Sequence, residues 1–299
     1  MTLYVFKGGF RKKFIMEKTE TLYNLTHYNI RPDKKYGQNF LTDDDILDGI
    51  VEAAGVTKDD TVLEIGPGLG ALTKRLSKAA GKVVAVEIDE KLIMLLEETV
   101  GKEENVTIIN QDILKTDIRE IVSGTRGRLK VVANLPYYIT SPIVVKLLEE
   151  SRKDGEVFID SITVMVQKEV AERLTSGPGT KDYGAITLFA QYYAETEIKI
   201  DVPPESFMPP PAVNSSVINM KILPEPPVST KDEELMMKLI RASFNQRRKT
   251  LLNGIKNSPE LSISKEKAEE ALEKMEKPLT VRGETFTLEE FAELSDMLL

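Results

Sequence analysis

Short apolar runs alternate along the chain with segments in which apolar residues recur at helical spacing. Runs of this kind are typical of strands buried on both faces of a parallel sheet. They lie at Thr61–Ile65, Val83–Val86, Val106–Asn110, Leu129–Ala133 and Ser161–Val166. Strands that alternate with helices predict an α/β fold built on a largely parallel sheet.

Later segments extend this pattern and then end it. Ala185–Ile200 and Val213–Ile222 are predicted to form an antiparallel pair that completes a sheet of seven strands. The proline-rich segment Leu223–Val228 is typical of a linker, and the spacing beyond it is helical throughout. The sequence thus predicts a basic, flexible extension over residues 1–30, an α/β domain over 31–223 and a small all-helical domain over 230–299.

Composition excludes several kinds of site. The 299 residues include no cysteine, which excludes disulfides and thiolate metal sites, and the single histidine, His27, excludes most histidine-based triads. No apolar run approaches membrane-spanning length, and the basic first residues lack the apolar core of a signal peptide. We therefore expect a cytoplasmic protein that acts without a metal and away from membranes.

The net charge of −8 is unevenly distributed. Residues 1–35 contain eight Lys/Arg against three Asp/Glu, and Arg247, Arg248 and Lys249 form a second basic cluster. Because a polyanion is bound by a local basic surface, an acidic average does not exclude a nucleic-acid partner.

A glycine-rich turn follows the first strand and begins at Gly66. Glycines such as Gly66 and Gly68 let the backbone approach a nucleotide cofactor at the start of a helix. Glu87 ends the second strand, 21 residues after Gly66, where an acid binds a ribose diol, and Asp112 follows the third strand, beside the expected adenine. A dehydrogenase would share these features, but Glu64, immediately before the turn, favours a methyl donor.

The fourth strand ends in Asn134-Leu135-Pro136-Tyr137. Pro136 cannot donate to a sheet, so the strand ends at the edge where open α/β sheets bind their ligands. Asn134 offers an amide, Leu135 a backbone carbonyl and Tyr137 a flat aromatic face. Together they suit a planar base that carries an exocyclic amino group.

Five motifs in order resemble those of the ribosomal RNA adenine N6-dimethyltransferases. They begin at Gly37 (GQNFL), Glu64 (EIGPGLG), Asn134 (NLPY), Phe207 (FMPPPAVNS) and Phe244 (FNQRRKTL). The last of these resembles the branch that acts on small-subunit RNA. The resemblance covers residues from about 30 to 255. It implies a Rossmann-like, seven-stranded methyltransferase domain followed by the helical domain.

The resemblance further implies S-adenosylmethionine as methyl donor and 16S ribosomal RNA, in an immature small subunit, as the partner of a monomeric enzyme. The target would be two adjacent adenosines in a hairpin near the 3′ end of that RNA. Contacts to the donor carry over by motif to Asn39, Leu41, Gly66, Gly68, Glu87, Asp112 and Asn134, and contacts to RNA are expected at Arg247, Arg248 and Lys249.

Catalysis is expected to depend on two acceptors and two aromatic faces. The Asn134 side-chain oxygen and the Leu135 carbonyl would accept the two N–H bonds of the adenine amino group and so direct its lone pair at the donor methyl. Tyr137 and Phe207 would stack on the two faces of the base, which must leave its helix to reach the pocket.

Three alternatives remain open at the level of sequence. A related enzyme that methylates large-subunit RNA and confers antibiotic resistance would share the donor site, although the segment from Phe244 argues against it. A non-catalytic assembly factor would be free to lose Asn134 or Glu87. A dehydrogenase would not need the Asn-Leu-Pro-Tyr turn.

Overall fold

The computed structural model describes residues 10–32, 37–124, 128–153, 156–245 and 249–299. Its strands are β1 Phe40–Leu41, β2 Thr61–Ile65, β3 Lys82–Glu87, β4 Val106–Asn110, β5 Leu129–Asn134, β6 Arg152–Lys153, β7 Glu156–Val157, β8 Ile159–Gln167, β9 Ala194–Val202, β10 Phe207–Met208 and β11 Ser215–Ile222. Its α-helices are α1 Phe10–His27, α2 Asp44–Ala54, α3 Thr73–Ala79, α4 Glu90–Glu98, α5 Ile118–Ile121, α6 Thr140–Glu150, α7 Lys168–Leu174, α8 Ala185–Tyr193, α9 Glu233–Phe244, α10 Leu251–Lys256, α11 Lys265–Lys274 and α12 Leu288–Leu298.

Seven strands form one sheet, as the sequence predicts, and the structure shows their order to be β4-β3-β2-β5-β8-β11-β9. The strands from β4 to β8 in this order run parallel. All five residues of β2 are buried, and so are the first five of β5, because helices cover both faces of a parallel sheet. Parallel strands align their carboxyl ends, so the segments after β2, β3, β4 and β5 meet at one edge.

The chain divides into two compact units. The first unit comprises Met1–Lys146, Phe158–Lys168 and Ile198–Asn219, and the second comprises Leu147–Val157, Glu169–Glu197 and Met220–Leu299. The second unit thus includes α8, which the sequence had assigned to the α/β domain. The reason is a set of contacts far apart in sequence: Tyr192 and Tyr193 of α8 both donate their hydroxyls to Glu233 of α9, at 3.0 and 2.7 Å.

Ala185–Tyr193 is a helix, not the first half of a strand. Most of its residues are buried, so the segment lacks the polar face that distinguishes an amphipathic helix from a buried strand. The predicted strand is confirmed only from Ala194 onward, as β9.

The N-terminal region contains a helix where the sequence predicted a flexible extension. Thr21 and Asn24 of α1 are buried, Glu20 pairs with Lys74 at 3.0 Å, and the Tyr28 hydroxyl, just beyond the helix, donates to Glu98 at 2.7 Å. Both of these buried helix residues are polar, so the sequence contains no apolar stripe that would predict this packing. None of the helices in the described ranges is both long and apolar enough to cross a membrane.

Candidate active site

A cleft opens at the carboxyl edge of the parallel strands and brings most of the predicted residues together. Its volume is about 1120 Å³, including the open mouth. We call Gly66, Gly68, Glu87 and Asp112 the donor half of the cleft, and Asn134, Leu135, Tyr137 and Tyr138 the base half. All eight residues line it.

The glycine-rich turn of the donor half depends on backbone that other residues rarely adopt. Gly66 and Gly68 have positive φ angles of 66° and 60°. The Gly66 N–H donates to the Val86 carbonyl at 2.9 Å, which fixes the turn against β3. A Cβ on Gly68 would lie 3.2 Å from the Phe40 ring. A side chain at Gly68 would therefore be strained by the backbone conformation and would crowd the Phe40 ring.

Glu87 at the end of β3 is a buried carboxylate held by backbone donors. Its Oε1 accepts from the N–H groups of Ile88 and Asp89 at 2.8 and 2.9 Å, and its Oε2 accepts from Gly68 at 3.3 Å. Burial raises the pKa of Glu87, although these three N–H groups oppose the rise. The carboxylate is thus preorganised in the cleft, where the sequence predicted the contact to a ribose diol.

Asp112 lies in the loop after β4 and is partly exposed in the cleft. Its Oδ1 accepts from the Leu114 N–H at 3.0 Å, and Lys115 pairs with its other oxygen at 3.6 Å. The structure therefore places the carboxylate at the cleft wall, in the loop that follows β4, the strand next to β3, which ends in Glu87.

The segment before α2 forms a further wall of the cleft through Asn39 and Leu41. Its neighbour Gln38 donates to Asp89 at 2.9 Å, which ties this segment to the donor half. The Asn39 side chain donates to the Gly37 carbonyl at 3.1 Å, and Leu41 is buried. Both residues predicted to contact the donor therefore lie at the cleft.

Asn134 ends β5, and its amide is oriented by one contact. Its Nδ2 donates to the backbone carbonyl of Asn39 at 3.4 Å, which leaves Oδ1 as the acceptor atom of the side chain. The Leu135 N–H donates to Met165 of the neighbouring strand at 3.1 Å, which fixes the turn that presents the Leu135 carbonyl.

Tyr137 is half-buried, and its ring is held by its hydroxyl group. The Tyr137 hydroxyl and the Ser215 hydroxyl are hydrogen-bonded at 2.6 Å, and burial raises the pKa of Tyr137. Because the hydroxyl is engaged with β11, the ring presents a fixed face to the cleft.

Phe207 lies behind the wall of the cleft and not on its surface. It is 3% exposed, belongs to the hydrophobic core with Leu47 and Val132, and is not among the residues that line the cleft. Its strand β10 pairs antiparallel with β1, so Phe207 lies opposite Leu41. Phe207 therefore supports the cleft wall behind Leu41, and its predicted stacking on the base stays a prediction.

Several cleft residues were absent from the sequence prediction of the site. They are Thr21 of α1, Gln38, Glu64, Gln111 and Tyr138. Glu64 carried a signal, since it is the penultimate residue of β2, two positions before Gly66. It is 1% exposed, burial raises its pKa to about 8, and its Oε2 has no hydrogen-bond partner in the described residues. Thr21 carried none, because a helix distant in sequence brings it to the cleft.

The predicted RNA contacts are described only in part. Arg247 and Arg248 lie outside the described residues, whereas Lys249 is exposed to solvent. Within the described ranges, no group of three or more His, Cys, Asp or Glu side chains is arranged to hold a metal ion.

The arrangement fits a nucleoside-bearing methyl donor beside a base that carries an amino group. The positive φ angle at Gly68 and the preorganised carboxylate of Glu87 suit a donor that carries a ribose. A seven-stranded Rossmann-like sheet with this cleft defines an S-adenosylmethionine-dependent methyltransferase.

The comparison with known families makes this class specific. The model of the family described as "Ribosomal RNA adenine dimethylase" matches residues 29–293, and the chain belongs to that family. It is accordingly an enzyme that uses S-adenosylmethionine to dimethylate adenines of ribosomal RNA.

Relatives and solved structures agree with this membership. A protein of Lachnoclostridium phytofermentans named "Ribosomal RNA small subunit methyltransferase A" is 53% identical over 95% of this chain and 98% of its own length. A protein of the same name from Alkaliphilus metalliredigens is 46% identical over 94% of this chain and 96% of its own length. A dimethyladenosine transferase from Plasmodium falciparum has a similar structure, with a TM-score of 0.66 and 25% identity over 85% of this chain and 95% of that one. The 23S rRNA methyltransferase ErmE also has a similar structure, with a TM-score of 0.60 and 26% identity over 87% of this chain and 99% of that one.

Proposed function

We propose that this protein transfers methyl groups from S-adenosylmethionine to N6 of two adjacent adenosines in a hairpin near the 3′ end of 16S ribosomal RNA. The observation that carries the proposal is the Asn134–Tyr137 turn, which places an amide, a backbone carbonyl and an aromatic ring in the cleft beside the donor half. The names of the two bacterial relatives favour small-subunit RNA over the large-subunit alternative.

The turn activates a weak nucleophile without a general base. The lone pair of an adenine amino nitrogen is delocalised into the ring. When its two N–H groups donate hydrogen bonds to Asn134 Oδ1 and to the Leu135 carbonyl, tetrahedral geometry is favoured at this nitrogen. The lone pair then forms a bond to the methyl carbon while the carbon–sulfur bond breaks and its electron pair stays on sulfur. The nitrogen, now positively charged, releases a proton to water.

Positioning supplies most of the rate in this mechanism. Holding two reactants in alignment can lower the activation free energy by up to about 7–11 kcal/mol. The Tyr137 face holds the base, and its bond to Ser215 keeps the ring in place. Leu41, with Phe207 behind it, closes the wall on the side of β1.

A direct assay tests the proposal. The purified protein is incubated with S-adenosylmethionine labelled in its methyl group and with small subunits that lack the modification, and the RNA is analysed by mass spectrometry. We expect four methyl groups on two neighbouring adenosines and no transfer to fully modified subunits. Transfer to large-subunit RNA alone would favour the antibiotic-resistance alternative, and no transfer to either would favour the assembly factor.

We also propose that Arg247, Arg248 and Lys249 bind RNA phosphates. Three consecutive cations and the exposure of Lys249 support this. Replacing all three by glutamine should flatten the salt dependence of RNA binding by about one unit of slope per lost phosphate contact, with donor binding unchanged. Equal slopes for variant and parent would leave the cluster as solvated surface.

The setting of the reaction is proposed in the same way. We infer an immature small subunit as substrate, a monomer as the active form and the cytoplasm as the location. Faster methylation of assembled subunits than of naked 16S RNA would support the subunit as substrate, and the reverse preference would refute it. Sedimentation of the active enzyme as a monomer would support the second inference.

A further inference from the structure

Thr21 of α1 is a buried polar residue at the cleft to which the mechanism above gives no role. It is 2% exposed and lines the cleft. Buried hydroxyl groups of folded proteins are nearly always hydrogen-bonded. Thr26, in the same helix, donates its hydroxyl to the Leu22 carbonyl at 2.8 Å, whereas the Thr21 hydroxyl makes no hydrogen bond in the part of the chain that the structure describes. The Thr21 hydroxyl is therefore available to a ligand in the cleft.

Contacts on both sides of Thr21 hold α1 in place. Glu20, just before it, pairs with Lys74 in the first turn of α3 at 3.0 Å. Leu25, one turn after it, packs against a hydrophobic cluster that includes Leu92 of α4. Because an exposed ion pair contributes little to stability, the apolar packing is what holds the helix, and the ion pair shows where it crosses α3. Thr21 is thus held near the start of α3, the helix that follows β2 and the glycine turn.

The order of the strands indicates which part of the donor reaches Thr21. β4, β3 and β2 are neighbours in the sheet. The loop after β4 contains Asp112, the predicted adenine contact, and β3 ends in Glu87, the predicted ribose contact. A donor that follows this edge brings its amino acid end, with an amino group and a carboxylate, to the end of β2 and the start of α3. That is the side on which α1 places Thr21.

The amino acid end of the donor needs polar partners there. Charged groups are costly to bury unless they are hydrogen-bonded. A hydroxyl can both donate and accept, so it suits an amino group as well as a carboxylate. The lining residues that follow Gly68 along the chain offer no polar side chain, since they are Leu69, Ala71 and Leu72.

We propose that the Thr21 hydroxyl hydrogen-bonds the amino acid end of S-adenosylmethionine, so that α1 forms part of the donor site. The donor itself follows from membership of the family. The position of its amino acid end rests on the predicted contacts of Glu87 and Asp112.

Calorimetry with two related ligands tests the proposal. S-adenosylhomocysteine and 5′-methylthioadenosine are both thioethers of the same nucleoside, and only the first carries the amino acid end. Thr21→Val replaces the hydroxyl by a methyl group, and we expect it to bind S-adenosylhomocysteine about 10- to 150-fold more weakly than the parent, as for a lost hydrogen bond to a charged group. Its affinity for methylthioadenosine should be parental. Thr21→Ser keeps the hydroxyl and should bind both ligands as the parent does.

Thr26→Val is the matched control, because Thr26 is an exposed threonine of the same helix. This variant also loses a hydroxyl, and it should bind both ligands with parental affinity. Denaturant midpoints of the two valine variants should be similar, since the Thr21 hydroxyl makes no hydrogen bond within the described part of the fold.

Four outcomes would overturn the proposal. Parental affinity of Thr21→Val for S-adenosylhomocysteine would show that the hydroxyl makes no contact, and equal losses for both ligands would place Thr21 at the nucleoside. An equal loss in Thr21→Ser would assign the effect to packing, and one in Thr26→Val would assign it to the helix as a whole. Failure of the proposed RNA substrate would alter none of these measurements, because they contain no RNA.

Discussion

The two halves of the cleft hold their polar groups differently. In the donor half, Glu87 accepts three backbone N–H groups at 2.8–3.3 Å, whereas in the base half Asn134 makes one contact to backbone, at 3.4 Å. The base half also presents a half-exposed tyrosine, Tyr138. The donor half is thus preformed by the fold, while the base half keeps its acceptors for a substrate. Changes in the two halves should therefore affect different measurements.

The largest expected effect concerns the other buried acid of the cleft, Glu64. Its pKa is raised from 4.5 to about 8, so between these values the folded protein binds a proton that the unfolded chain does not. Stability should therefore be lost as pH rises from about 4.5 through about 8, by at most roughly 5 kcal/mol from this group. Glu64→Gln should flatten that part of the stability curve in denaturant titrations. Identical slopes for Glu64→Gln and parent would show that Glu64 is ionised in the fold.

Next in size is the effect of Phe207→Ala, which tests whether this residue belongs to the core or to the base half. As a core residue it should cost about 3–5 kcal/mol of unfolding free energy, measured in denaturant. Tyr137→Ala is the matched control, and it should mainly weaken RNA capture, by about 1–3 kcal/mol. If Phe207→Ala left stability unchanged and raised the KM for RNA, the result would support the predicted stacking of Phe207 on the target base.

Asn134→Ala should separate turnover from stability. It removes the Oδ1 acceptor, while the Leu135 carbonyl and the Tyr137 face remain. We expect kcat to fall on the order of 10²–10³-fold, as when one preorganised hydrogen-bonding group is lost from an active site. Folding stability should change little, and donor affinity must be measured alongside because Asn134 is also a predicted donor contact. Parental turnover with donor and RNA saturating would contradict the proposed activation.

The smallest of these effects is expected for Glu87→Ala. Loss of a hydrogen bond to a charged group should weaken S-adenosylmethionine binding by about 1.5–3 kcal/mol in calorimetry. Glu87→Gln, which keeps the size and removes the charge, should fall between Glu87→Ala and parent. If Glu87→Ala bound the donor as the parent does, the hydrogen bonds of Glu87 would stabilise the fold and would have no role in donor binding.

Local patterns were sufficient for much of the architecture. The five parallel strands, the glycine turn and the acid that ends β3 follow from apolar runs and from turn chemistry, which act over a few residues. The segment at Ala185–Tyr193 was mispredicted because a helix buried on most sides has no periodicity to distinguish it from a strand.

By itself, the sequence indicated which chemistry the protein carries, through two short motifs at strand ends, around Gly66 and Asn134, that suit a ligand at the edge of the sheet. The tertiary structure alone decided which neighbours complete that site. It brought Thr21 of α1 to the cleft, placed Phe207 in the core opposite Leu41 and left Tyr138 at the mouth. These placements depend on packing between segments far apart in the chain, and the burial of a side chain is a property of its neighbours in space.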